Sequence, residues 1–96
     1  MEKRIELKGM NSISRLVGNE YGKQIFETQI AEHVDLSSNN IIVFPKTIEG
    51  VAISLIEGML SMLPKEISRK DFYKYFSIEG KDSVINKFFD VVMMGQ

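Results

Sequence analysis

Side chains suited to acid–base, nucleophilic or metal chemistry are few and scattered in this sequence of 96 residues. There is no cysteine, which excludes disulfides, thiolate nucleophiles and cysteine-based metal sites. His33 is the single histidine, and no serine lies in the G-x-S-x-G pattern of a catalytic nucleophile. The seven glycines are dispersed and match no phosphate-binding loop. These observations predict a surface-exposed His33 and a protein without enzymatic activity, cofactor or bound metal.

One segment, residues 65–76, mixes basic and aromatic side chains in a way that suits two functions. Aromatic and cationic residues together can bind single-stranded nucleic acid by stacking and phosphate contacts. Contacts would then come from Arg69, Lys70, Tyr73 and Lys74. Alternatively, the segment is a strand whose alternate aromatics enter the core. Nearby acidic residues and the formal net charge of −1 favour the strand, so nucleic acid is the less favoured partner and remains the alternative.

A strip of small and polar residues interrupts a helix that is otherwise apolar. Ser54, Glu57, Gly58 and Ser61 are spaced by three and four, so they share one helical stripe. Such a stripe is either a docking site for a partner or a solvent-facing edge. With the loop that precedes the helix, it defines the predicted partner-binding residues. These are Lys46, Thr47, Glu49, Ser54, Glu57, Gly58 and Ser61.

Length and composition indicate one ordinary globular domain, residues 1–96, with 44% hydrophobic and 26% charged residues. The longest apolar stretch, 51–63, is shorter than the roughly 20 residues that a bilayer span needs. The N-terminus does not have the pattern of a signal peptide. We therefore expect a cytoplasmic protein without a membrane partner. Six methionines make self-association into a homodimer a further interpretation.

The elements that must position these residues alternate between strands and helices. In chain order they are a strand at 4–8, a helix at 13–34, a strand at 41–44, a helix at 51–63, a strand at 71–78 and a helix beginning at Asp82 or Ser83. The order β-α-β-α-β-α predicts an α/β fold, with helices packed on a three- or four-stranded sheet that is at least partly parallel. Gly18 and Gly22 lie four apart in the first helix, where they either admit a close backbone or are simply tolerated.

The segment from Ile41 to Leu60, IIVFPKTIEGVAISLIEGML, resembles the core of STAS-type domains, the sulfate-transporter and anti-sigma-factor-antagonist group. A wider resemblance, over roughly residues 11–93, is to the STAS-like family of unknown function, including the stretch NSISRLVG at 11–18. Phe44 and Ala52 stand where acidic residues are usual. The resemblance implies a small STAS-like regulatory module of bacterial or phage type.

The same resemblance implies a partner and a modification. Taken without gaps, Ser54 falls at the position of the serine that anti-sigma-factor antagonists carry for phosphorylation. The family logic implies a protein partner such as a regulatory kinase or a similar ATPase. The resemblance thus agrees with the stripe in predicting a module that binds a protein through the second helix and the preceding loop.

Overall fold

A three-stranded parallel sheet carries the helices of this protein. The computed structural model describes residues 1–94, so the last two residues of the predicted domain lie outside the described part. The strands are β1 (Glu2–Glu6), β2 (Arg15–Leu16), β3 (Asn39–Val43), β4 (Gly50–Val51) and β5 (Phe76–Glu79). The helices are α1 (Asn19–Ile25), α2 (Ile53–Leu60), α3 (Phe72–Tyr75) and α4 (Asp82–Met94). A π-helical segment (Phe26–Ile30) and a 3₁₀ turn (Ala31–His33) extend α1, and a second 3₁₀ turn (Arg69–Asp71) precedes α3.

The main sheet has the order β1-β3-β5 with both pairs parallel, and β2 pairs in parallel with β4 in a separate two-stranded ladder. This confirms the predicted α/β fold class with a three-stranded sheet. Parallel pairing follows from the helical connections, which return the chain to the same end of the sheet before each strand. In the part of the chain that the structure describes, no helix is long and apolar enough to cross a bilayer.

The two faces of the sheet differ in composition. Ile5, Ile42 and Ile78 lie side by side in the register and belong to or contact the hydrophobic core. On the opposite face, the Arg4 guanidinium donates two hydrogen bonds of 2.8 Å to the Glu79 carboxylate. Because β3 lies between β1 and β5, this ion pair spans the central strand.

The first predicted helix begins later than expected. The spacing of residues 13–17 predicted a helix from residue 13, but Arg15 and Leu16 form β2 and α1 starts at Asn19. Gly18 has a φ of +107°, a conformation that side chains rarely adopt and that a helix interior excludes. The pairing partner that makes β2 a strand is β4, more than thirty residues away in the chain.

The predicted strand at 71–78 is wrong over its first half. Residues 69–75 are helical, and only Phe76–Glu79 form a strand. Phe72 and Phe76 are 1% and 0% exposed, with ring centroids 4.9 Å apart. Residues four apart share one face of a strand too, but there they lie about 13 Å apart, whereas one helical turn brings them together. The short distance between the rings therefore requires the helix.

The remaining elements are confirmed in type and differ at their ends. β1 lies at 2–6 rather than 4–8, and β3 lies at 39–43. α2 starts at Ile53 rather than residue 51, because Val51 is part of β4. α4 begins at Asp82 as expected, but the Ser83 hydroxyl donates to the Glu49 carbonyl.

Two glycines allow α1 and α2 to pack at backbone contact. A Cβ added at Gly22 would lie 2.0 Å from the Leu55 carbonyl oxygen, and one added at Gly58 would lie 2.0 Å from the Asn19 carbonyl oxygen. The interpretation of Gly22 as a site of close approach is therefore confirmed. Its counterpart on α2 is Gly58, which sequence reasoning had placed in the partner-binding stripe.

A buried asparagine fixes the loop before β3. Asn40 is 0% exposed, and its side-chain amide donates to the carbonyls of Asp35, Ser38 and Tyr75 at 3.0, 3.2 and 3.0 Å. Its side-chain oxygen accepts from the Asp35 amide at 2.9 Å. The amide nitrogen and the oxygen are thus both hydrogen-bonded, with the two N–H groups shared among three carbonyls, which satisfies a polar group in the core.

Candidate partner-binding surface

The β2–β4 ladder brings the segment before α1 beside the start of α2. The Ala52 amide donates to the Leu16 carbonyl at 2.9 Å. Two residues further along, the Gly18 amide donates to the Ser54 hydroxyl at 3.2 Å. Ser54 therefore fastens the N-terminus of α2 to the turn that precedes α1, and this turn–helix junction is the scaffold of the surface.

Val17 and Ile53 lie on the two segments that these hydrogen bonds join, Val17 next to Gly18 and Ile53 next to Ser54. Their exposed fractions are 54% and 45%, which makes them two of the most exposed aliphatic side chains in the described part. We call the two residues the Val17–Ile53 patch. Sequence reasoning missed it because Val17 fell on the buried face of the predicted helix. The signal that could have found it is Gly18, which ends the preceding segment.

The loop between β3 and β4 borders this patch and is anchored at both ends. Ile48 is 0% exposed and donates from its amide to the Pro45 carbonyl at 3.0 Å, while Lys46 and Thr47 are exposed. The Glu49 amide donates to the Ser14 carbonyl at 2.7 Å. The loop is thus a fixed turn that presents its polar side chains outward.

Glu49 also connects the loop to the start of α4. Its backbone carbonyl accepts a hydrogen bond of 2.5 Å from the Ser83 hydroxyl, and its carboxylate lies 3.9 Å from Lys81 Nζ. An open groove of about 500 Å³, at the carboxyl ends of β3 and β5, is lined by Lys46 and residues 80–83. In open α/β sheets, ligands and partners bind at these strand ends. Nothing in the sequence pattern indicated that residues 80–83 lie beside this loop.

The predicted stripe on α2 is not one surface. Ser54 and Ser61 are exposed, but the Ser61 hydroxyl donates to the Gly58 carbonyl at 2.7 Å. Gly58 is buried against Asn19 and is therefore wrong as a contact residue. Glu57 is occupied by an ion pair with Arg69. Helical spacing placed these residues on one stripe, but α1 covers part of that stripe.

Arg69 has a structural position that the sequence did not indicate. Its guanidinium donates to the two carboxylate oxygens of Glu57 at 2.7 and 3.0 Å, and to the Val91 carbonyl at 2.6 Å. Its Nε is buried without a partner in the described residues. Arg69 thus connects α2 to the last turns of α4, which explains why it is only partly exposed.

The rest of the basic aromatic segment is also used internally. The Tyr73 ring lies 5.9 Å from the Phe89 ring, and burial, followed by the charge of Asp90, raises the Tyr73 pKa to about 12. Lys74 Nζ lies 3.3 Å from the Asp71 carboxylate. With the rings at positions 72 and 76 buried, few aromatic faces of this segment are left for a base to stack on.

Other titratable groups have local, structural partners. The Ser68 hydroxyl and then Lys74 lower the pKa of Asp71, and the hydrogen bond from Arg4 lowers the pKa of Glu79. His33 is exposed, with Nε2 3.6 Å from the Glu32 carboxylate. Among residues 1–94, no group of three or more histidine, aspartate or glutamate side chains is placed to hold a metal ion.

The assignment of this chain to the STAS-like family stays a prediction, since the motifs that carry the resemblance are mainly hydrophobic patterns. In comparisons with known proteins, the chain matched no protein-family model, no curated protein and no solved structure.

Proposed function

We propose that this protein is a non-catalytic regulatory module of the cytoplasm that binds a protein partner through the Val17–Ile53 patch. The observation that carries the proposal is the exposure of these two aliphatic side chains on the two segments of a junction held by hydrogen bonds. Apolar side chains on a rigid frame lose little conformational freedom on binding, so they suit the centre of an interface.

The surroundings of the patch support a protein as the partner. Arg15 and Ser54 are close to its two members along the chain, the loop residues Lys46 and Glu49 precede β4, and all four are exposed and supply charges of both signs. An apolar centre with a polar rim is the usual composition of a protein interface. Because the apolar centre has only two residues, we expect a small, reversible complex of the kind found in signalling.

Regulation by phosphorylation of Ser54 is part of the proposal and follows from the STAS-like resemblance. Ser54 is exposed and is the second residue of α2. A phosphate there would add about two negative charges beside the apolar patch, and the helix N-terminus favours negative charge. Modification would therefore change the surface while leaving α2 in place. A regulatory kinase or a similar ATPase fits this role.

The test is capture of a partner by immobilised protein from a lysate of the native host, with identification by mass spectrometry. The disruptive variant is Ile53→Asp, and the matched control is Leu36→Asp. Leu36 is 46% exposed, close to the 45% of Ile53, and lies in the loop before β3. We expect a protein that is retained by wild type and by Leu36→Asp and lost by Ile53→Asp.

Three further variants sharpen the result. Val17→Asp should lose the same protein, and Ser54→Glu should weaken its binding more than Ser54→Ala does. Thermal unfolding of each variant establishes that the fold is intact. If Ile53→Asp and Val17→Asp retain the same proteins as wild type, the patch is not the contact surface and the proposal fails.

The nucleic-acid alternative has less support, because Arg69 is held by Glu57 and two of the segment's rings are in the core. Its remaining basic contacts are Lys70 and Lys74. Binding of a single-stranded oligonucleotide that weakens steeply with salt and is lost in Lys70→Glu would favour it over a protein partner.

A further inference from the structure

The outer edge of β1 has backbone groups that face away from the sheet. The Leu7 amide donates to the Val43 carbonyl at 3.0 Å, and the Met1 carbonyl accepts from the Asn39 amide at 3.0 Å. In a parallel pair, alternate residues of a strand direct both backbone groups to the same neighbour. The odd-numbered residues of β1 therefore bond to β3, and the amides and carbonyls of Glu2, Arg4 and Glu6 point outward.

Further along the same edge, at Lys8, the protein's own side chain occupies the outward backbone groups. The Lys8 amide donates to Gln29 Oε1 at 2.7 Å, and Gln29 Nε2 donates to the Lys8 carbonyl at 3.1 Å. A side-chain amide thus makes the two bonds that a neighbouring strand would make. An open groove of about 550 Å³ lies beside the edge, lined by residues 4–6 and Lys8 on one side and by Thr28, Gln29 and His33 on the other. Arg4 and Glu6 therefore border open space at the edge.

The charges along this edge alternate in sign. Glu2, Arg4, Glu6 and Lys8 are exposed and project to the same face of the sheet, in the order negative, positive, negative, positive. When the order of the four residues is reversed, each position meets a residue of the opposite charge. When two copies run antiparallel about Ile5, Arg4 of each copy faces Glu6 of the other. Glu2 then faces Lys8, whose backbone groups Gln29 already occupies, so only the two side chains can pair there.

We propose that a second copy of this chain adds to the β1 edge in this register, so that two three-stranded sheets become one six-stranded sheet. The outward amides and carbonyls of Arg4 and Glu6 supply the main-chain bonds. The Arg4 guanidinium bonds Glu79 across β3 with two of its five N–H donors, so its pairing with the facing Glu6 requires the side chain to turn toward the edge. A shift that centres the pairing on Arg4 sets Glu2 against Glu6 and Arg4 against Arg4, so the charges select the register.

Charged edges commonly prevent strand addition, and this is the competing interpretation. Charges of one sign along an edge would prevent the addition of a second copy by repulsion. The charges along β1 alternate in sign and attract those of a second copy in one defined register. The inference uses none of the residues of the Val17–Ile53 patch, so it stands or falls independently of the proposed function.

The test is sedimentation velocity over a range of protein concentrations, with a charge exchange between two variants. Glu6→Arg and Arg4→Glu each place like charges opposite one another in a homodimer, and each should raise the dissociation constant at least tenfold. An equimolar mixture of the two restores opposite charges at both positions and should dimerise. Glu66→Arg, at an exposed residue in the loop after α2, is the matched control and should dimerise like wild type.

A proline at Glu6 gives a second, charge-independent test. The Glu6 amide points away from β3, so Glu6→Pro removes an edge donor while the bonds to β3 remain. We expect a folded monomer by circular dichroism and sedimentation. In wild type, hydrogen exchange of the β1 amides should slow as the concentration rises. A wild type that stays monomeric at all concentrations, a dimer that none of these variants changes, or a mixture that fails to dimerise would each overturn the proposal.

Discussion

Substituting Gly58 by alanine tests whether α1 and α2 are held at backbone contact. The added Cβ would lie 2.0 Å from the Asn19 carbonyl oxygen, whereas real Cβ contacts are essentially never under 3.0 Å. Alanine is the better helix former by about 1 kcal/mol. Overpacking costs about 1 to 3 kcal/mol and occasionally more, and the obstacle here is backbone that cannot rotate aside. We expect the clash to exceed the propensity gain and the free energy of unfolding to fall by about 2 kcal/mol.

The assay is thermal and urea unfolding followed by circular dichroism. For a domain of this size, the expected loss lowers Tm by roughly 8 to 16 °C. Gly50→Ala is the control, because its Cβ would meet only Arg15 Nη1, the end of a flexible side chain, at 3.1 Å. It should stay within about 0.5 kcal/mol of wild type. If Gly58→Ala is as stable as wild type, the close helix packing is refuted.

Gly22→Ala should act in the same way from the other helix, since its Cβ would lie 2.0 Å from the Leu55 carbonyl oxygen. The double variant, Gly22→Ala with Gly58→Ala, should lose less stability than the sum of the two. Once the first methyl group has separated the helices, the second finds part of its space already open. If the loss of stability in the double variant equals the sum of the two single losses, the helices adjust to each added methyl group independently, and this prediction is wrong.

Three further changes test the polar groups. Asn40→Asp places a carboxyl group among carbonyls, and burial raises the pKa of that carboxyl group. The variant should therefore unfold at lower urea concentrations as the pH rises above about 4. Equal stability of the variant at pH 4 and pH 7 would contradict this. The pKa of Glu79 is lower in the folded protein than in the unfolded one. Its contribution to the free energy of unfolding is therefore present above the unfolded-state pKa and is lost as the pH falls through the folded-state pKa. In urea unfolding measured at a series of pH values, Glu79→Gln should lose less stability than wild type on acidification. Arg69→Met leaves Glu57 without its cation and should lower the free energy of unfolding by about 1.5 to 3 kcal/mol. The urea midpoint should fall accordingly. The control Lys70→Met, at an exposed residue, should be as stable as wild type.

Local pattern predicted those elements whose burial is nearly uniform or strictly periodic. The apolar run at 41–44 predicted the central strand of the sheet, where Ile41, Ile42 and Phe44 are buried. The spacing of Val84, Phe88 and Val92 gives α4 one buried face, and all three are fully buried. In these segments the sequence period and the tertiary contacts agree, so the type of each element followed from the chain alone.

Pattern failed where a long-range partner decided the local conformation. The two-residue strand β2 is too short to have a period, and only its pairing with β4 makes it a strand. The segment at 69–75 has strand-like composition, but it is helical, and its turn brings the buried rings of Phe72 and Phe76 to within 4.9 Å of each other. Each of these outcomes depends on residues distant in the chain.

By itself, the sequence determined that the fold is α/β, that strands alternate with helices, and that no thiol chemistry is available. Only the tertiary structure decided which side chains are accessible. Helical spacing made Gly58 a surface residue, but α1 covers it, while Val17 was expected inside and is 54% exposed. The physical reason is that spacing along a chain fixes the direction of a side chain relative to its own element, whereas burial depends on what another element places there.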